Sequence, residues 1–268
     1  MGAKEDLLHN VEPAARMLSL FFVGWLFRFQ FIGPFPNMTD VPLIGKLLAL
    51  QGGVSFFYIL SMAVIANGMN LIDGINGLCG AVALSILGAL LFLSYKTSDI
   101  NMLSAVFTLI LLIIPFMLFN FPFGKIFLGD LGAYSLGLIV SMLTIIFFGR
   151  HPEISPYVAV LIMIYPVTEI VFTILRRLLL GNSVFKPDTL HLHLKLFYLL
   201  RPQAAYKKMA NGLVMPALSI LWIFPFFTAT LTYQRLPYVI FAIVIFVALY
   251  LSFYFMLPNI QKYSKKNS

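Results

Sequence analysis

Apolar residues fill most of this chain in runs of nearly membrane-spanning length, separated by short polar segments. A helix needs about 20 mainly apolar residues to cross a bilayer. The runs therefore predict eight membrane-spanning helices, at residues 15–33, 48–66, 79–95, 102–120, 131–149, 157–178, 211–232 and 236–257. The first run is the weakest, because only 17–27 is uninterrupted before Arg28, whose charge has to reach an interface.

The composition supports the same class of fold. Of the 268 residues, 60% are hydrophobic and only 10% are charged, and the mean hydropathy is +0.94. Soluble domains carry about a quarter charged residues. We therefore predict an all-α, polytopic integral membrane bundle that forms a single domain over residues 1–268. The net charge of +8 is typical of cytoplasmic loops that face anionic lipid, so no nucleic-acid partner is expected.

The basic residues predict how the bundle is oriented. Eight spans place both termini on one side of the membrane. If that side is the cytoplasm, all but five of the 18 Lys and Arg residues are cytoplasmic, the exceptions being Arg28, Lys46, Lys96, Arg150 and Arg235. The positive-inside rule favours this orientation. It also places the notable polar segments together, so we predict catalytic loops on the cytoplasmic side.

The segment "NGMNLIDGINGL" (67–78) carries polar residues at three-residue spacing. Residues three apart share a helix face, so Asn67, Asn70 and Asp73 are predicted to line one side of a helix end. Their oxygens suit Mg²⁺, which usually shares its ligand shell with phosphate and water. Alternatively, these side chains cap a helix and form hydrogen bonds across the bundle. For Asn76 alone, the two interpretations are equally open.

A second carboxylate lies in "FLGDLGAYSLG" (127–137), directly before an apolar run. Asp130 on its own is well explained as a helix N-cap. Its position on the same predicted side as Asp73 favours a metal site instead.

The segment "KPDTLHLHLKLF" (186–197) contains two histidines. His191 and His193 are two residues apart and so do not share a helix face, which argues against a zinc pair. We predict that they bind or position an anion beside Arg176, Arg177 and Lys186.

Taken together, four segments resemble motifs of the polyprenyl-phosphate N-acetylhexosamine-1-phosphate transferase family. That family includes the undecaprenyl-phosphate GlcNAc-1-phosphate transferases and the phospho-MurNAc-pentapeptide transferase. "NGMNLIDGINGL" resembles its Asn-x-x-Asn-x-x-Asp-Gly-x-Asn/Asp-Gly signature, and "GDLGAYSLG" its Gly-Asp-x-Gly-x-x-x-x-Gly motif. "KPDTLHLHL" resembles its Pro-Asp-x-x-His-Ile/Leu-His-His segment. "GAKEDLLHNVEPAARML" resembles the stretch with the acidic pair, which places Glu5 and Asp6 in the Asp-Asp positions.

The resemblance implies a reaction and a set of site residues. A sugar 1-phosphate, GlcNAc-1-phosphate or a related N-acetylated hexosamine phosphate, would pass from a UDP-sugar to undecaprenyl phosphate with release of UMP. The implied cofactor is Mg²⁺, or alternatively Mn²⁺, held by Asp6, Asp73 and Asp130. The expected catalytic residues are Glu5, Asp6, Asp73, His191 and His193. The expected substrate-binding residues are Asn67, Asn70, Asn76, Lys125, Arg176, Arg177 and Lys186.

The chain also departs from the family pattern. Leu194 stands where many members have a last histidine, and Glu5 replaces the first Asp of the acidic pair. These variants favour an enzyme that starts O-antigen or another surface polysaccharide, in the bacterial inner (plasma) membrane.

The chain begins at the acidic pair, so we expect an N-terminally truncated member, and an inactive fragment is one alternative. A secondary transporter is another, although only Glu169 is an acid within a span and no clear repeat is present. A homodimer remains open.

Overall fold

The computed structural model describes residues 12–36, 48, 52–183, 189–201 and 209–258, and within these ranges the chain is helical without strands. The helices, in chain order, are α1 Pro13–Gln30, α2 Gly53–Ile72, α3 Leu78–Lys96, α4 Ile100–Asn120, α5 Gly129–Arg150, α6 Pro156–Ile162, α7 Ile164–Leu179, α8 Leu192–Leu200, α9 Met209–Ala217, α10 Ser219–Thr232 and α11 Leu236–Met256. The predicted all-α class is confirmed.

Several of these helices are long and apolar enough to cross a membrane. In the described part of the chain six spans qualify: α2, α3, α4, α5, α11 and the continuous pair α9–α10. The bent pair α6–α7 makes a seventh if it is counted as one span. The protein is thus a multi-pass membrane protein. The predicted number of eight is approximate, because α1 carries Arg16 and Arg28 within 18 residues and is not apolar enough to qualify.

The predicted span 157–178 is broken in the structure. Helix α6 ends at Ile162, and α7 starts at Ile164 with its axis turned by 75°. Pro166 explains the position of the break. In a continuous helix its ring would collide with the carbonyl group four residues earlier, at Ile162, and proline has no N–H to donate to that carbonyl.

Helix α2 packs against α1, α5 and α7, and two glycines allow close backbone contact there. A Cβ atom added to Gly137 of α5 would lie 2.6 Å from the Cα of Ala66 in α2. A Cβ atom added to Gly68 of α2 would lie 2.5 Å from the carbonyl oxygen of Pro166 in α7. Small residues at such crossings are typical of membrane helices. These two contacts hold the last part of α2 between α5 and the start of α7.

We call the end of the bundle where α2 ends and α5 begins the site end. A polar cluster closes the opposite end, at the turn between α3 and α4. Asp99 caps α4 by accepting a hydrogen bond from the Met102 N–H at 3.0 Å. It also lies 3.2 Å from Nε2 of His151 and 3.5 Å from Arg150 at the end of α5. Burial raises the pKa of Asp99, but the bonds from Met102 and His151, with the nearby Arg150, outweigh it, so the pKa is below its ordinary value.

Candidate functional site

Three helices meet at the carboxylate of Asp130, the second residue of α5. Nη1 of Arg16, on α1, donates to Oδ2 at 3.2 Å, and Nδ2 of Asn70, on α2, donates to Oδ1 at 3.0 Å. The Arg16 and Asp130 side chains are 25% and 24% exposed, so the pair is accessible to a ligand. Arg16 was predicted only as a cytoplasmic charge, although its place within the segment "GAKEDLLHNVEPAARML" was an available signal.

The polar positions of α2 form a stripe, as the three-residue spacing predicted. Asn67, Asn70 and Asp73 are half-buried, while the two residues between each pair are buried except for Leu71. Asp73 follows the last residue of α2, and its N–H donates to the carbonyl oxygen of Asn70. The amide of Asn67 donates to the carbonyl of Ala63 within the same helix at 2.8 Å. The stripe therefore brings Asp73 to the same end as Asn70 and Asp130.

The donor set at this end suits a hard divalent cation. Asp73 and Asp130 offer carboxylate oxygens and Asn70 an amide, which are ligand types that Mg²⁺ takes. Within the described ranges, no three His, Cys, Asp or Glu side chains are grouped so that they hold a metal ion alone. The third predicted ligand, Asp6, lies outside the described residues, as do Glu5 and Lys186. The assignment of these ligands stays a prediction.

The two histidines of the "HLH" segment lie side by side against one acid. Glu169 of α7 is fully buried, and its Oε1 lies 3.5 Å from Nδ1 of His193. Its Oε2 lies 3.9 Å from Nδ1 of His191. The two rings are parallel within 3°, with centroids 5.6 Å apart. Thr173, one turn further along α7, places its Oγ1 3.2 Å from the same Nδ1 of His191.

The prediction that these two rings do not share a face was wrong, because it assumed helical spacing. His191 is the N-cap of α8 and has extended backbone angles, φ −68° and ψ 148°. Residues two apart point to the same side in an extended segment. The helix begins only at Leu192, so the two rings can face one carboxylate.

Two basic side chains, one on α7 and one on α8, donate to backbone carbonyls of the protein itself. Arg177, a predicted substrate-binding residue, is buried, and its Nη1 donates to the carbonyl of Ser183 at 2.9 Å. Lys195 is also buried and donates to the carbonyl of Tyr254 near the end of α11 at 2.7 Å. Burial and the nearby Arg176 lower the pKa of Lys195. Lys125 lies exposed in the loop between α4 and α5, and Arg176 is half-buried.

Asn76 connects loops at the site end. Its backbone N–H donates to Oδ1 of Asn211 at 2.6 Å, and its side chain donates to the carbonyl of Pro122 at 3.0 Å. Asn120 acts in the same way, accepting from the Gly77 N–H and donating to the carbonyl of Ile126. For Asn76 the geometry favours the structural interpretation over substrate binding. The sequence analysis did not identify Asn120 or Asn211.

Comparison with known proteins shows that the chain is similar to sugar 1-phosphate transferases. The model of glycosyl transferase family 4 matches residues 1–148, which include Arg16, Asn70 and Asp130. A probable undecaprenyl-phosphate N-acetylglucosaminyl 1-phosphate transferase of Bacillus subtilis is 27% identical over 163 residues, covering 60% of this chain and 45% of the relative.

Two further relatives carry a similar name. The undecaprenyl-phosphate alpha-N-acetylglucosaminyl 1-phosphate transferase of Yersinia pestis is 31% identical over 147 residues, 52% of this chain and 40% of its own. That of Thermotoga maritima is 31% identical over 137 residues, 51% of this chain and 41% of its own. The chain therefore matches less than half the length of each of these relatives.

Proposed function

The chain belongs to glycosyl transferase family 4, and on that premise we propose that it transfers an N-acetylhexosamine 1-phosphate from a UDP-sugar to undecaprenyl phosphate. A phosphate oxygen of the lipid attacks the sugar-linked phosphorus of the UDP-sugar. The bond from that phosphorus to the oxygen of UMP breaks, and its electron pair leaves with UMP. The single observation that carries the proposal is the meeting of Arg16, Asn70 and Asp130 at one end of a membrane bundle.

The charge arrangement supports this chemistry. Two phosphate-bearing anions have to approach each other, which requires positive charge and positioned donors. Asp73 and Asp130, with Asp6 as the resemblance implies, would hold Mg²⁺, or alternatively Mn²⁺. The ion would supply neutralisation of phosphate charge and polarisation of the phosphorus–oxygen bonds. Arg16 and the amide of Asn70 orient the Asp130 carboxylate, and Arg16 adds positive charge next to it.

An apolar cavity supports a lipid substrate. It has a volume of about 310 Å³ and is lined by residues of α2, α5, α6 and α7, among them Tyr58, Val64, Ile145, Val160 and Val167. These are membrane-spanning elements, and the lining residues lie toward the end of the bundle opposite Asp130, so the cavity suits the prenyl chain and not its phosphate. The lipid requires a membrane site and the nucleotide a water-facing one. Catalysis is therefore proposed at the membrane interface, on the cytoplasmic face of the plasma membrane, as a first step in surface polysaccharide synthesis.

The test is a transfer assay on membranes that contain the full chain. Undecaprenyl phosphate is supplied with UDP-GlcNAc, UDP-GalNAc or UDP-glucose, and release of UMP is measured with Mg²⁺ and with chelator. We expect UMP release that depends on both the lipid and an N-acetylated sugar nucleotide. UMP release without lipid, or none with any of the nucleotides, would contradict the proposal.

A further inference from the structure

A group of buried polar atoms surrounds Glu169 on α7. Neither carboxylate oxygen of Glu169 makes a hydrogen bond of standard geometry in the described part of the chain, and nor does Nδ1 of His193. The hydroxyl of Tyr165 is buried without such a bond as well, and the hydroxyl of Tyr250 lies close enough to Glu169 to interact with it. Unsatisfied buried polar groups are rare in native structures and require an explanation.

Fold stability alone does not explain an acid at this position. A buried carboxylate is costly, and replacing buried charged groups by well-packed apolar residues is often neutral or stabilising. Other buried positions of α7 near Glu169 hold apolar side chains, as at Pro166 and Ile170. The acid therefore has a use other than packing.

The geometry points to the two imidazoles. Each carboxylate oxygen faces Nδ1 of a different ring, at 3.5 Å for His193 and 3.9 Å for His191. The acid thus lies against both rings, which are parallel, and Oγ1 of Thr173, at 3.2 Å, is the nearer partner of the His191 Nδ1. With Nδ1 directed at the carboxylate, Nε2 of each ring points away from Glu169. A carboxylate that holds one nitrogen of an imidazole in this way fixes the orientation of the ring and its tautomer. The other nitrogen is then the one that can contact a substrate.

We propose that Glu169 is the positioning residue for His191 and His193, and that it holds their rings in the orientation in which they contact phosphate. The proposal rests on the proposed function, because it assigns the rings to the phosphate groups of that reaction. Glu169 itself does not touch substrate. Helix α7 carries both Glu169 and Thr173, which contact the two rings.

A spectroscopic test is available because the chain has only four histidines. Protein labelled with ¹⁵N-histidine in nanodiscs gives separate Nδ1 and Nε2 signals, assigned by single His→Gln variants. Glu169→Gln keeps the shape of the side chain and removes its charge. We expect it to shift the Nδ1 signals of His191 and His193 and to leave that of His151 unchanged.

Glu153→Gln is the matched control. Glu153 lies at the opposite end of the bundle, is 60% exposed, and approaches Nδ1 of His151 at 2.9 Å. This control should shift the His151 signal alone and leave turnover unchanged.

Kinetics provides the second readout. Glu169→Gln should lower kcat by about tenfold or more and change KM for the UDP-sugar by less than about twofold, because the rings act on the transition state. Glu169→Asp should recover part of kcat, which a purely structural role would not produce. If Glu169→Gln does not accumulate in the membrane, Glu169→Asp is compared with the wild type instead.

The two proposals fail separately. Unchanged His191 and His193 signals in Glu169→Gln, with a wild-type chain that releases UMP, would overturn the positioning role and leave the function intact. Unchanged kcat would do the same. A wild-type chain without UMP release would overturn the proposed function and, with it, the phosphate role of the rings.

Discussion

Gly68 gives the sharpest test of how packing builds the site. It belongs to the "NGMNLIDGINGL" segment, and a methyl group at this position would lie 2.5 Å from the oxygen and 2.9 Å from the carbon of the Pro166 carbonyl. Both atoms are backbone, so no side-chain rotation relieves the contact, and α2 and α7 have to move apart. Asn70 and Glu169 lie two and three residues from the contact, so both parts of the site move with it.

Two effects of Gly68→Ala oppose each other. Alanine favours a helix over glycine by roughly 0.5–1 kcal/mol. Overpacking a tight contact costs about 1–3 kcal/mol. Because the obstruction is backbone, we expect overpacking to dominate, with a net loss of up to about 2 kcal/mol and reduced turnover.

Gly74→Ala is the matched control. It is the same substitution in the same segment, yet a Cβ there has nothing within 4 Å. It should leave stability unchanged or raise it by about 0.4–1 kcal/mol. Thermal midpoints in detergent and SDS titration in mixed micelles measure the difference. If Gly68→Ala is as stable as Gly74→Ala, the proposed close contact between α2 and α7 is refuted.

Two further predictions concern the opposite end of the bundle and the orientation. The lowered pKa of Asp99 contributes stability above about pH 4, and that contribution is lost as pH falls through the folded-state pKa. Thermal midpoints between pH 6 and pH 3 should therefore fall more steeply in the wild type than in Asp99→Asn, and parallel curves would contradict this. In a Cys79→Ser background, Glu153→Cys should react with an impermeant maleimide from outside the cell, whereas Lys125→Cys should react only after lysis. The reverse labelling would overturn the proposed orientation.

Much of the helical framework could be predicted from hydrophobic runs alone. The predicted span 102–120 compares with α4 at Ile100–Asn120, and 236–257 with α11 at Leu236–Met256. In these segments the length of the apolar run determines where the helix lies, and that length can be counted along the sequence without knowledge of tertiary contacts. The 75° bend between α6 and α7 was not predicted. Pro166 indicates where a helix can break, but whether it bends depends on the neighbouring helices, here the backbone contact with Gly68.

The site was predictable where spacing along one element decides it. The stripe of Asn67, Asn70 and Asp73 follows directly from helical periodicity. The contact of Arg16 with Asp130 joins residues 114 apart in the chain, and no local pattern reports it. The role of Glu169 depends in the same way on α8 folding back onto α7.

The backbone conformation of His191 explains why the contact between the two histidine rings was not predicted. The side-by-side histidines could not be expected while His191 was assumed to be helical, since the pairing depends on its extended conformation before α8. Asn76 is a residue for which the motif predicted a function and the structure shows a structural role. Its position in a motif suggested substrate binding, but burial and two loop contacts decide its role, and both are tertiary properties.

The most direct test of the central claim compares two aspartates in one transfer assay. Asp130→Asn removes the carboxylate at the proposed centre, while Asp99→Asn removes a partly buried, basic-paired carboxylate at the opposite end. Both are assayed with undecaprenyl phosphate, a UDP-N-acetylhexosamine and Mg²⁺, with the lipid product and UMP measured together. We expect Asp130→Asn to retain less than about a tenth of wild-type turnover, a loss of more than ~1.4 kcal/mol, while Asp99→Asn remains close to wild type. Equal turnover in the two variants would contradict a catalytic site at Asp130.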